Sequence, residues 1–74
     1  MNEDTLIQRA RLLEAAVHNL AKELDPQLVG AVTDPYAEAL RIAAERLVPS
    51  VWQWRIEPCY GGSAVFLITT YTGE

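Results

Sequence analysis

The sequence predicts an α+β fold of the order α-α-β-β, in which a helical hairpin packs on a two-stranded antiparallel sheet. Apolar residues recur at helical spacing before residue 48 and alternate with polar residues at strand spacing after residue 51. We expect one domain spanning residues 1–74. Cys59 is the only cysteine, so no disulfide within the chain can reinforce so small a core.

The first predicted helix covers residues 3–24 and carries a continuous apolar stripe. Its members alternate between spacings of four and three residues, as in the seam between two nearly parallel helices: Leu6, Ala10, Leu13, Val17, Leu20 and Leu24. Glu14 and His18 are expected on faces exposed to water. Leu12 lies toward the far side of the helix and is predicted to stay exposed.

Two Asp-Pro pairs, at residues 25–26 and 34–35, punctuate the helical part of the chain. Proline cannot continue a helix but suits its first turn, and the preceding aspartate can cap that turn. We therefore predict a connector over 25–34, with one short helical turn ended by Gly30, and a second helix over 35–48. Ile42 lies off the apolar stripe of that helix, as Leu12 does in the first.

Two strands are predicted, at residues 51–57 and 64–72, with Pro58 ending the first and the glycines after it forming the turn. The first strand alternates, so its apolar face is expected to lie against the helices: Trp52, Trp54 and Ile56. The second strand has large apolar residues on both faces, a pattern typical of a strand covered on both sides. One side holds Val65, Leu67 and Tyr71, and the other holds Phe66 and Ile68.

One copy of this chain has more apolar surface than such a fold can cover. A two-stranded sheet is marginal alone, and its second strand has no lysine or proline to discourage edge pairing. We expect a homo-oligomer, most simply a dimer in which the free edge of residues 65–71 pairs with its symmetry mate or with a target strand. The alternative is a monomer whose helices and connector cover both faces of the second strand.

Charge and hydropathy exclude two classes of partner. The net charge of -4, with six basic residues spread along the chain, disfavours a nucleic acid. No apolar run approaches the roughly 18 residues of a membrane span. The expected location is therefore the cytoplasm, which also fits the single cysteine.

Catalytic and metal-binding signals are weak, and no cofactor is implied. Cys59 lies beside turn glycines, but a cysteine nucleophile needs a base, and His18 is expected on a distant helix. A single histidine without a second ligand at helical spacing does not make a metal site. The segment 61–63 lacks the lysine of a phosphate loop and leads into a strand. We expect no enzymatic activity.

The sequence thus favours a non-enzymatic protein-interaction module, a small acidic oligomeric adaptor or inhibitor that acts on a protein target through its C-terminal hairpin. Size and charge are compatible with a phage or mobile-element origin. The predicted interface contains Leu12, Ile42, Tyr60, Val65, Leu67, Thr69 and Tyr71. The alternative function is binding of a small ligand or nucleotide in a pocket between subunits, lined by Trp52, Trp54, Arg55 and Tyr60.

Overall fold

A computed structural model describes residues 3–68. Three helices precede an antiparallel β-hairpin, and this order confirms the predicted α+β class. The elements are α1 (Glu3–Glu23), α2 (Pro26–Val29), α3 (Pro35–Leu47), β1 (Gln53–Cys59) and β2 (Gly62–Ile68). The short helix α2 corresponds to the turn expected within the connector.

Aspartate side chains cap both helices that begin with proline. The Asp25 carboxylate accepts a hydrogen bond from the backbone N–H of Gln27 at 2.9 Å. Gly30 then ends α2 with a positive φ of 77°, a conformation that costs glycine little. The aspartate caps satisfy backbone N–H groups that the first turn of a helix leaves without a partner.

Asp34 caps α3 and also reaches the hairpin. Its Oδ1 accepts a hydrogen bond from the backbone N–H of Ala37 at 3.1 Å. Its Oδ2 accepts a hydrogen bond from the hydroxyl of Ser63 at 3.2 Å. One side chain therefore fixes the start of α3 and links it to the first residues of β2.

Replacing Asp34 by alanine is expected to lower the free energy of unfolding by about 1 kcal/mol, the usual cost of losing an N-cap. Asp25→Ala is the matched control, because it removes a cap of the same chemistry that lacks the link to the hairpin. We expect the Asp34 variant to lose more stability than the Asp25 variant in urea unfolding followed by circular dichroism. Equal losses would mean that the Ser63 contact adds nothing.

The hairpin register places Trp54 opposite Leu67, Ile56 opposite Val65 and Pro58 opposite Ser63. Strand β1 begins at Gln53 rather than at residue 51 and continues through Pro58, where the sequence predicts its end. Strand β2 begins at Gly62 rather than at residue 64. The Leu67 N–H donates to a helix side chain, so it points away from β1. Alternate residues of an antiparallel ladder share this orientation, so the position of Pro58 needs no N–H toward β2.

The buried core is thin. Within residues 3–68, half of the eight buried hydrophobic residues are alanines, and the largest fully buried side chains are Leu40 and Val17. The eight are Val17, Ala21, Val29, Ala39, Leu40, Ala43, Ala44 and Val65. Alanine lets α1 and α3 approach closely, but it buries little apolar area.

The partly buried residues around this core include both expected and unexpected members. Trp54 and Ile56 pack against it, as the alternation of β1 predicts. Trp52 is half-buried but lies before the first residue of β1. Ile42 also packs against the core, so the exposed position that helical spacing alone predicts for it is wrong.

The outer side of α3 carries a charged cluster centred on Arg41. Its guanidinium donates to the carboxylate of Glu38, and its Nη1 lies 2.6 Å from Glu45 Oε1. The hydrogen bond from Arg41 and its positive charge lower the pKa of Glu38 below its ordinary value of 4.5. The same contacts raise the pKa of Arg41. Arg41 and Glu38 are only partly buried and Glu45 is exposed, so water screens these pairs and their effect on stability is small.

Arg41→Gln is expected to raise the pKa of Glu38 toward 4.5, because the variant loses the positive charge that favours the carboxylate. A lowered pKa in the folded state stabilises the fold above the unfolded value, and this contribution disappears as the pH falls through the folded value. An NMR titration of the Glu38 side-chain carboxyl carbon measures the change. Arg46→Gln, the same substitution in the last turn of α3, is the control and should leave the Glu38 titration in place.

Candidate interaction surface

The two faces of the hairpin have different surroundings. Trp54, Ile56 and Val65 face the helices, and Val65 is only 2% exposed. The opposite face, which we call the open face, carries Gln53, Arg55, Glu57, Ala64 and Phe66. Among residues 3–68, the helices contact the sheet through the first face, and Phe66 remains 38% exposed.

The open face combines an aromatic ring with an ion pair. Phe66 lies directly across the ladder from Arg55. The Nε of Arg55 lies 2.8 Å from Oε1 of Glu57, two residues further along β1. Both charged side chains remain about half exposed, so the pair contributes little to the stability of a single chain. The surface is apolar at Phe66 and carries opposite charges beside it.

The free edge of β2 meets a carboxylate from α1. Oε2 of Glu14 accepts a hydrogen bond from the backbone N–H of Leu67 at 3.2 Å. Glu14 is half-buried, whereas helical spacing predicts it on a face exposed to water. The difference arises because α1 packs against both α3 and β2, so more than one stripe of the helix is covered.

His18 also occupies a different position from the one predicted. It is half-buried, and its Nδ1 lies 2.7 Å from the hydroxyl oxygen of Tyr36 on α3. Its ring is tilted by 34° to that of Tyr36, with the ring centroids 6.1 Å apart. This contact ties α1 to α3, so His18 is not a freely solvated side chain.

A groove of about 570 Å³ runs between the N-terminal half of α1 and the edge of β2. We call this the edge groove. Residues from both faces of β2 line it, so it follows the edge of the strand rather than one face of the sheet. Its lining residues are Leu6, Ile7, Ala10, Arg11, Glu14, His18, Ala64, Val65, Phe66 and Leu67.

The residues of the predicted interface occupy different environments. Leu12, 71% exposed on α1, and Tyr60 at the tip of the hairpin are accessible. Leu67 is half-buried and lines the edge groove. Val65 lies in the core of the single chain and offers no exposed surface there. Thr69 and Tyr71 fall outside the described residues.

The residues proposed for a ligand pocket are not gathered in one chain. Trp54 faces the helices, whereas its neighbour Arg55 lies on the open face. Tyr60 lines a separate cavity of about 500 Å³ at the hairpin turn, together with Tyr36 and residues 59–64. Neither tryptophan lines that cavity.

Cysteine-based catalysis and metal binding have limited support in the described part of the chain. Cys59 is exposed next to the turn, and the Nδ1 of the only histidine is engaged by Tyr36. No group of three or more His, Cys, Asp or Glu side chains in residues 3–68 could hold a metal ion. None of the helices in this range has the length and apolar character needed to cross a membrane.

Two residues of this surface are absent from the predicted interface. Phe66 was recognisable from the sequence as an apolar residue on the second face of its strand, but only the register shows which face is open. Glu14 gave no comparable signal, because its partner lies 53 residues away.

No family model, curated protein or solved structure matches this chain.

Proposed function

We propose that this protein is a non-enzymatic protein-interaction module that forms a homodimer through the open face of its hairpin. The observation that carries the proposal is the exposure of Phe66 on a sheet whose other face is already packed against the helices. A two-stranded sheet with one uncovered face gains stability when a second layer covers it. The small, alanine-rich core gives the single chain little stability in reserve.

The charges of the open face suit a second copy of the same chain. In a dimer with twofold symmetry, each surface meets itself in the opposite direction. With the axis between Arg55 and Glu57, Arg55 of one protomer approaches Glu57 of the other, and each Phe66 lies over Ala64 of the second copy, because Phe66 is paired with Arg55 and Ala64 with Glu57. Opposite charges adjacent to an aromatic group therefore make this face self-complementary.

Edge-to-edge pairing of β2 is a weaker route to the dimer. Glu14 already occupies the N–H of Leu67, and a second strand must displace that carboxylate before it can pair there. Charged side chains at a strand edge are a common device against such pairing. The open face needs no comparable rearrangement.

The dimer is proposed to act as an adaptor or inhibitor of a protein target. Face-to-face packing leaves Tyr60 at the hairpin tip, and tyrosine is a frequent anchor residue in protein interfaces. The net charge of -4 favours a target with a basic surface.

Measuring the mass in solution tests the dimer. Light scattering at micromolar concentration should give twice the chain mass of 8.2 kDa for the wild type and the single-chain mass for Phe66→Asp. A carboxylate at the centre of the interface must lose its water without an adequate partner, so association should become unmeasurable.

Leu12→Asp is the matched control, since it introduces the same charge at an exposed apolar residue away from the hairpin. It should remain a dimer. A wild-type protein that stays at 8.2 kDa at high micromolar concentration would refute self-association, and a dimeric Phe66→Asp variant would refute the open face as its interface.

A further inference from the structure

We infer that the edge groove binds an extended segment of a target protein, which adds to β2 as a third strand and places a basic residue beside Glu14. This inference rests on the proposed role in protein binding, but it does not require the homodimer. It uses the edge of β2, whereas the homodimer uses the open face.

The hydrogen bond between Glu14 and Leu67 indicates what the groove can accept. The outward N–H of Leu67 is directed at the position where a neighbouring strand would supply a carbonyl oxygen. In the single chain, a carboxylate oxygen of α1 takes that role at 3.2 Å. An incoming backbone carbonyl can accept the same hydrogen bond, provided that the segment also supplies a basic side chain for the displaced carboxylate. A second copy of β2 does not, because residues 62–68 contain no lysine or arginine.

The two walls of the groove match the alternation of an added strand. Leu6, Ile7 and Ala10 provide an apolar wall on α1. Side chains of a strand point alternately to its two faces, so every second residue of the segment would meet this wall. The volume of about 570 Å³ accommodates several side chains.

The negative charge of Glu14 determines which residue of the bound segment is favoured beside it. Once the carboxylate is displaced from Leu67, it remains half-buried and needs a new partner. A lysine or arginine of the segment supplies one. Arg11 also borders the groove, but it is exposed and keeps its water, so it imposes a weaker demand for an acidic residue. The net charge of -4 adds a general preference for a basic segment.

The test uses the full chain and a short fluorescein-labelled peptide of alternating valine and threonine with one central lysine. Fluorescence anisotropy should show saturable binding that is about tenfold weaker when the central residue is glutamate. The amide NMR signal of Leu67 should shift on binding. Glu14→Gln keeps an oxygen that can accept from Leu67 but removes the charge, so this variant should bind both peptides equally.

Glu23→Gln is the matched control, because it makes the same charge change at an exposed position of α1 outside the groove. It should keep the preference for the lysine peptide. Absence of binding, equal binding of both peptides by the wild type, or an unchanged Leu67 signal overturns the inference. Arg55→Glu separates the two proposals, because Arg55 lies on the open face but does not line the edge groove, and a glutamate there would repel Glu57 of the second copy. Peptide binding by this variant as a monomer supports the groove, whereas a dimeric wild type that ignores the peptide refutes the groove alone.

Discussion

Leu40→Ala is expected to remove most of the stability of the fold. Leu40 is 0% exposed and is one of the two largest fully buried side chains in the described residues. Truncating a buried leucine costs about 2–5 kcal/mol, because apolar burial is lost and a cavity remains. Domains of this size rarely have a core worth more than about 3–5 kcal/mol. The neighbouring core residues Ala39, Ala43 and Ala44 are too small to fill the space.

Urea unfolding followed by far-ultraviolet circular dichroism measures this effect. Leu28→Ala is the control, since it deletes the same atoms from a residue that is 57% exposed on α2. It should change the free energy of unfolding by less than about 1 kcal/mol. Equal destabilisation by the two variants would contradict the assignment of Leu40 to the centre of the core.

The boundaries of the helices were predictable because local chemistry sets them. Asp34 followed by Pro35 specifies a capped helix start, whatever packs against that helix later. Local chemistry gave the wrong boundary at Pro58, because the prediction took proline to end β1. Proline is compatible with a strand when its position needs no N–H, and that depends on the register with Ser63.

The positions of Glu14 and His18 were not predictable from helical spacing. A stripe pattern assumes one buried side, whereas α1 packs against α3 and β2 together. Glu14 meets Leu67, which lies 53 residues later in the sequence. His18 meets Tyr36 across the helical hairpin. Such contacts depend on how complete elements pack, so no local pattern contains them.

The choice between the two faces of β2 depends on the turn. Val65 and Phe66 are both large and apolar, so composition cannot assign one of them to the core. The two-residue turn at Tyr60 and Gly61 sets the register, and this register puts Val65 beside Ile56 on the helix side. A shift by one residue would exchange the two faces. The sequence therefore indicated an uncovered face without identifying the residue at its centre.

Val65→Asp is expected to unfold the chain, whereas Phe66→Asp is expected to leave the single chain folded, although the two residues are neighbours. At position 65 the carboxylate enters a site that is 2% exposed and lined by apolar side chains, with no basic partner in the core. Burying an unpaired charge costs several kcal/mol, which exceeds the stability available to this domain. The Val65 variant should therefore be unfolded at every concentration, with helical circular dichroism lost and amide NMR signals collapsed into a narrow range.

At position 66 the same carboxylate points to the open face, opposite Arg55 across the ladder. An opposite-charge pair across two strands is mildly favourable, so the folded single chain should persist. Dispersed amide signals and native-like circular dichroism at low micromolar concentration, together with loss of the dimer, are the expected result.

If Val65→Asp folds while Phe66→Asp does not, the two faces of the hairpin are assigned the wrong way round, and Phe66 is a core residue. If both variants fold equally well, the helices do not cover either face of β2 closely enough to exclude water. The difference between these two neighbouring substitutions therefore measures which side of the strand the chain covers by itself and which side it leaves exposed.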